Sequence, residues 1–206
     1  MADDVPMFPL GTVLVPGAYL PLHVFEPRYR ALVQSCLAGT PEFGVALIER
    51  GSEVGGGDQR FSTGCVARIV EAVELEDGRY AIGAVGVRRI RILRWLPDAP
   101  YPRAEVEDWP DPDPGPDAAA LVASVVPRFR RVLALAAEAG EAVPPATVEL
   151  SEDPVVASHE MTALAPLGPL DSLGLLAAPS AEARLRMLGE LLEDAATVLA
   201  SRLGGG

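Results

Sequence analysis

His23 and His159 are the only two histidines of this chain, so a hydrolase built on an imidazole base would have to use one of them. His159 stands in Val155-Val156-Ala157-Ser158-His159-Glu160-Met161. Neighbouring positions on a helix do not face each other, so Ser158, His159 and Glu160 do not form a local triad. The G-x-S-x-G elbow of hydrolases is also absent. His159 is therefore expected on a helix surface or at an interface. His23 has richer company in Leu20-Pro21-Leu22-His23-Val24-Phe25-Glu26-Pro27-Arg28-Tyr29-Arg30. This charged and aromatic cluster straddles a strand-to-helix junction, where Glu26 can serve the unpaired N–H groups of the helix start. Two readings stay open. In the structural one, Glu26 pairs with an arginine, with Arg89 as the expected partner, and Tyr29 packs under a sheet. In the functional one, His23, Phe25, Arg28 and Tyr29 form the polar and aromatic rim of a groove. No metal site is expected, because one histidine and one glutamate three residues apart supply too few ligands. No cofactor and no catalytic residue are expected either.

Arg88-Arg89-Ile90-Arg91-Ile92-Leu93-Arg94 is the most basic run. Strand alternation places Arg89 and Arg91 on one face and Ile90 and Ile92 on the other. These arginines are expected to neutralise carboxylates such as Glu26 or Glu71 rather than to bind RNA. Cys36 and Cys65 fit no metal spacing and are expected as small core residues. The 17 basic residues are all arginine, so a P-loop ATPase, a Schiff-base enzyme and a Ser–Lys hydrolase are excluded for this chain. Residues 1–109 carry 11 arginines against 15 acids and residues 110–206 carry 6 against 14, a net charge of −12 that disfavours nucleic acid as a partner. Met1-Ala2-Asp3-Asp4 lacks the basic start of a secretory signal, and no apolar run reaches the roughly 18 residues of a membrane span. A reduced, cytoplasmic protein without a membrane segment is the expectation.

The elements that would position these residues fall into two parts. Pro110-Asp111-Pro112-Asp113-Pro114-Gly115-Pro116 reads as a stiff, extended connector over 110–116. Before it, residues 1–109 hold short β-branched runs separated by glycine-rich turns. Strands are expected at Met7–Leu10, Thr12–Val15, Leu20–Phe25, Phe43–Glu49, Gly64–Glu74, Arg79–Val87, Arg88–Trp95 and Tyr101–Asp108. The glycine-rich loop 51–60 is expected to be mobile, and one helix is expected over Pro27–Leu37, opened by a first-turn proline. Short antiparallel strands with a single inserted helix suggest a partly open barrel. After the connector, residues 117–203 show helical spacing. Leu121, Val125, Phe129, Val132, Leu133 and Ala136 share one helical face, and Asp153-Pro154 caps a second helix. A short helix is expected near Asp171–Leu176. Ser180 then opens a long helix with an apolar stripe of Leu185, Leu188, Leu192, Ala195 and Leu199. Gly204-Gly205-Gly206 is expected as a flexible tail. The fold class is therefore α+β, an N-terminal partly open β-barrel with one inserted helix followed by a helical bundle that ends in a long helix.

The order of motifs resembles a known family. Phe8-Pro9-Leu10, Val13-Leu14-Val15-Pro16-Gly17 and the Leu20–Arg30 cluster with its H-x-F-E-x-R-Y pattern are similar to the opening of the Lon protease N-terminal, substrate-binding domain. Phe43-Gly44-Val45-Ala46-Leu47-Ile48, Gly64-Cys65-Val66-Ala67, Asp77-Gly78-Arg79-Tyr80 and Gly86-x-x-Arg89-Ile90-Arg91-Ile92 keep the same order. The resemblance spans residues 5–203 and is nearest to the free-standing bacterial versions; Cys65 departs from the threonine expected there. It implies a PUA-like barrel followed by helices and a non-catalytic module that binds unfolded or tagged polypeptides, in association with proteolytic machinery. ATPase and protease parts are missing from this chain. The alternatives are a PUA-like binder of a small molecule or RNA, and an enzyme.

Overall fold

In a computed structural model, residues 3–50 and 59–204 are described. The expected mobile loop falls mainly on residues 51–58, and Gly205 and Gly206 of the expected tail also lie outside the described residues. The chain divides into two compact units, Met1–Pro110 and Asp111–Gly206.

The first unit is built on one six-stranded sheet. Its elements are β1 (Asp3–Leu10), β2 (Tyr19–Val24), α1 (Pro27–Ala38), β3 (Glu42–Arg50), β4 (Gln59–Glu74), β5 (Tyr80–Leu96) and β6 (Arg103–Asp108). The strand order is β2-β5-β4-β3-β1-β6, with β6 also paired to β5. The sheet curls because β5 is long: Tyr80–Val85 pairs with β2, and Ile90–Leu96 pairs with β6. The result is a mixed, partly open barrel. Three expectations change here. Arg79–Val87 and Arg88–Trp95 are not two strands but the single strand β5. The strands are not all antiparallel: β1 and β3 run parallel, with Met7 opposite Gly44 and Leu10 opposite Leu47. A parallel pair needs a long crossover, and β2 with α1 supplies it. Thr12–Val15 forms no strand, although Leu14 and Val15 are buried. The Val15 carbonyl stands where a side chain on Gly86 would be, so this segment packs across the sheet and only a glycine admits it.

Glu26 is extended because a residue before proline is pushed out of the helical region, and Pro27 then starts α1. The helix buries Tyr29, Leu32, Val33 and Cys36. These pack into one cluster with Leu20, Val24, Tyr80, Ile82 and Ala84 from β2 and β5. Both cysteines are free and buried, as expected.

The second unit contains α2 (Ala118–Glu138), α3 (Pro154–Leu164), α4 (Pro169–Leu176) and α5 (Ala181–Gly204). The expected stripe of α2 packs with Leu185, Leu188, Leu192 and Leu199 of α5, while Ala195 is only partly buried beside the buried Ala196. An Asp153 carboxylate oxygen accepts hydrogen bonds from the Val155 and Val156 amides at 2.8 and 3.3 Å, which caps α3. Ser180 Oγ accepts from the Ala183 amide at 3.3 Å at the start of α5. His159 is not on a surface. It is buried, and its Nε2 lies 3.0 Å from Asp111 Oδ2. Asp111 also accepts from Arg184, whose side chain is wholly buried. The proline-rich stretch from Asp111 onward is thus held to its own helices. The α+β class read from the sequence holds.

Candidate functional site

Strand pairing lays out the outer face of β2, β5 and β4. Residues directly opposite one another point to the same side of a sheet. Tyr19 pairs with Val85, Pro21 with Gly83 and His23 with Ala81. Gly83 in turn pairs with Glu71, and Ala81 with Val73. The alternate residues Leu20 and Val24 point inward to the core. The outer face therefore carries Tyr19, Pro21 and His23 on β2 and Glu71 and Val73 on β4. Phe25 is the next residue of that parity, just past the strand end. Tyr19 is 55% exposed, Phe25 53% and Val73 58%, and Val70 at the adjoining register shift is 58% exposed. Four large apolar side chains left in water along neighbouring strands are the mark of an interaction surface rather than of scattered exposure. Gly83 makes the middle of this face flat. The Tyr19 hydroxyl donates to Glu71 Oε1 across it, in the space that a side chain on Gly83 would fill. That bond, together with slight burial and the Glu71 charge, raises the Tyr19 phenol above its ordinary value.

The residues expected at a rim are separated by the structure into two layers. His23 and Phe25 are exposed, whereas Tyr29 is buried. The Tyr29 ring stacks on Phe8 at 4.0 Å with an interplanar angle of 9°. Arg28 is half-buried. Its guanidinium sits 4.4 Å above the Tyr29 ring, and its Nε donates to Glu26 Oε2 at 3.1 Å. Tyr29 therefore supports the surface from below and does not present its ring to solvent. Glu26 makes no capping hydrogen bond with its side chain, because Arg28 takes it. The expected pairing of Glu26 with Arg89 is corrected: Arg89 is buried on β5 with its guanidinium 4.7 Å from the Trp109 ring. Arg91 lies 4.0 Å from the same ring, which agrees with the predicted shared face. Tyr19, Val70 and Val73 escaped the sequence reading. The signal for Tyr19 was its even spacing from His23 along β2; the β4 residues come alongside only through long-range pairing.

The arginines of the sheet have carboxylate partners other than those expected. Arg88 donates to Glu42 at 2.6 Å and to Asp108 at 2.8 Å, Arg91 lies 3.5 Å from Glu107, and Arg94 pairs with Glu105. Glu71 serves Tyr19 instead, and Glu26 serves Arg28. Burial alone would raise the Glu42 carboxyl, but the hydrogen bonds from Arg88 and Arg68 outweigh it and hold Glu42 below the ordinary carboxylate range. A basic strand sequence thus yields a charge-matched surface. Burial pushes the Cys36 thiol up to about 11 and the Cys65 thiol up to about 12, far from nucleophilic readiness. In the second unit, Ser158 Oγ donates to the Val155 carbonyl at 2.7 Å and accepts from Arg184 at 2.9 Å, an arrangement that braces a helix. Among the described residues, no group of three or more His, Cys, Asp and Glu side chains comes together as a metal site requires. No described helix is long and apolar enough to cross a membrane.

Comparison with known proteins gives a consistent picture. The model of the ATP-dependent protease La (LON) substrate-binding domain matches residues 4–194. Lon protease 2 of Herpetosiphon aurantiacus is 27% identical over 95% of this chain, which covers 24% of that protein. Lon protease 2 of Sorangium cellulosum is 31% identical over 53% of this chain and 14% of its own length. The chain thus spans about a quarter or less of these relatives. Among solved structures, the Lon N-terminal domain protein from Xanthomonas campestris aligns with a TM-score of 0.65 and 27% identity, covering 90% of this chain and 96% of the other. The N-terminal domain of the Mycobacterium avium complex Lon protease aligns at 0.64 and 21% identity over 93% and 99%, a likeness of fold.

Proposed function

Because the chain belongs to the LON substrate-binding domain family, we propose that it binds extended apolar stretches of unfolded or tagged polypeptide without cleaving them. The observation that carries this reading is the exposed outer face of β2, β5 and β4. Tyr19, Phe25 and Val73 offer apolar area there, His23 adds a polar ring on the same face, and Arg28 follows in the first turn of α1. Aromatic rings and a guanidinium are the groups that most often anchor a polypeptide at an interface. Arg28 is held in place by Glu26 and by its position over the Tyr29 ring, so its side chain is already ordered. A module that accepts many sequences cannot demand close complementarity, so affinity is expected near micromolar. Catalysis is assigned to none of its residues, and no cofactor is required. The partners are unfolded or tagged polypeptides and, through them, proteolytic machinery. Pairing of the sheet arginines with Glu42, Asp108, Glu107 and Glu105 argues against RNA. Two free, buried cysteines are in keeping with a reducing, cytoplasmic setting.

The test is fluorescence anisotropy with a labelled, reduced and carboxymethylated protein that cannot fold. Saturable binding is expected. Phe25→Ala combined with Tyr19→Ser is expected to weaken it about tenfold, equivalent to about 1.4 kcal/mol. Absence of binding at about 100 μM, a level already weak in affinity terms, would sink the reading.

A further inference from the structure

A second surface lies wholly within the helical unit. The buried stripe of α5 is Leu185, Leu188, Leu192, Ala196 and Leu199. Beside it runs another row at helical spacing, Leu191, Ala195 and Val198, which faces a groove closed on its far side by the Pro166-Leu167-Gly168 turn that leads into α4. Val198 is 50% exposed, and Leu170, in the first turn of α4, is 68% exposed. From Leu191 to Arg202 the groove follows α5 for about 16 Å, given a rise of about 1.5 Å per residue. That is three turns of a docked helix.

The groove is also acidic. Asp194 on α5, Asp171 on α4 and Glu141 line it together with one cation, Arg202. Arg202 lies 3.3 Å from Glu141 and is occupied by it. Asp171 and Asp194 are exposed and have no arginine partner among the described residues. This differs from the sheet of the first unit, where the arginines are matched by acids. An apolar floor between two unmatched carboxylates, in a chain of net charge −12, complements a positive ligand with an aliphatic stripe.

We propose that this groove docks a short basic amphipathic helix of another protein. Aliphatic side chains three or four residues apart would pack against the Leu191–Ala195–Val198 row, ridge into groove. Arginines or lysines on the two flanks would meet Asp171 on one wall and Asp194 on the other. This ligand differs from the extended apolar chain assigned to the β2–β5–β4 face in both conformation and charge.

The probe is a fluorescein-labelled 14-residue helical peptide with leucines at i, i+4, i+7 and i+11 and arginines beside them; its counterpart carries glutamate in place of arginine. Anisotropy is expected to show the basic peptide binding at least tenfold more tightly. Asp171→Arg with Asp194→Arg is expected to weaken it at least tenfold, and so is Val198→Asp. Glu76→Arg with Glu152→Arg makes the same change in net charge at exposed positions that do not line the groove and is expected to stay within twofold. Since these substitutions are on the surface, circular dichroism should be unchanged. An environment-sensitive dye on Val198→Cys should also respond to the basic peptide. Equal loss in the Glu76/Glu152 variant, no loss in the Asp171/Asp194 variant, or a silent dye would each overturn the proposal. So would a wild-type dimer in sedimentation that Val198→Asp dissolves, since the occupant would then be a second copy.

Discussion

Asp111→Asn removes one negative charge from the inside of the helical unit and should be among the most damaging single substitutions in this protein. The Arg184 side chain is wholly buried. Its guanidinium donates to the Leu175 carbonyl at 3.0 Å, to Ser158 Oγ at 2.9 Å and to Asp111 Oδ1 at 2.8 Å. Only the last of these three acceptors is charged. Burial lowers the Arg184 pKa from its ordinary value, and the Asp111 charge works against that shift. Removing one partner of a buried ion pair costs about 3–5 kcal/mol, because the other charge remains in low dielectric. Asparagine keeps one acceptor and recovers about 1 kcal/mol of hydrogen bonding. The net loss should be about 3 kcal/mol. For a unit of this size that corresponds to roughly 12–24 °C in melting temperature. Thermal unfolding followed by circular dichroism gives the magnitude, and hydrogen exchange of α3 and α5 locates it. The double variant Asp111→Asn/Arg184→Met, with no charge left to bury, should regain at least half the loss. A cost below about 1 kcal/mol for Asp111→Asn would refute the reasoning, as would a double variant no better than the single.

Glu42→Gln should destabilise the sheet unit by about 1–2 kcal/mol at pH 7, measured by urea titration across pH. The folded Glu42 carboxyl is held low, so its contribution is complete above the unfolded value of about 4.3. It fades as the pH falls through the lower folded value, where wild type and variant should converge. Cys36 and Cys65 should react with iodoacetamide at pH 8 on the order of a hundredfold more slowly than a free thiol, and at the ordinary rate once urea unfolds the chain. Glu26→Ala should cost only about 1 kcal/mol in the same urea assay, since its partner Arg28 keeps its stacking on Tyr29.

What the sequence made legible follows from the range of the interactions involved. Pro27, Asp153 and Ser180 mark helix starts through contacts within a few residues, and all three helices begin where those residues indicate. Burial of Tyr29 was one of two open readings. The choice turned on Phe8, which is distant in sequence and stacks on the Tyr29 ring. The partners of the sheet arginines were misjudged for the same reason. Arg88 reaches Glu42 only because β3, β4 and β5 lie side by side, a register fixed by long-range pairing. Thr12–Val15 reads as a strand because buried extended segments and strands have the same composition. It is kept off the ladder by the Gly86 crossing. His159 was read as a helix-surface or interface residue, and its burial was missed because its counter-ion, Asp111, lies 48 residues earlier in a proline-rich stretch whose composition suggests solvent.

The central claim, that the outer face of β2, β5 and β4 receives unfolded polypeptide, is tested most directly by amide chemical-shift mapping. The ¹⁵N-labelled protein is titrated with an unlabelled, permanently unfolded chain. The account predicts shifts concentrated at Tyr19–Arg28, Val70–Val73 and Ala81–Val85, lost together in Phe25→Ala/Tyr19→Ser. Shifts absent at saturating polypeptide, or confined to residues outside that face, would contradict it.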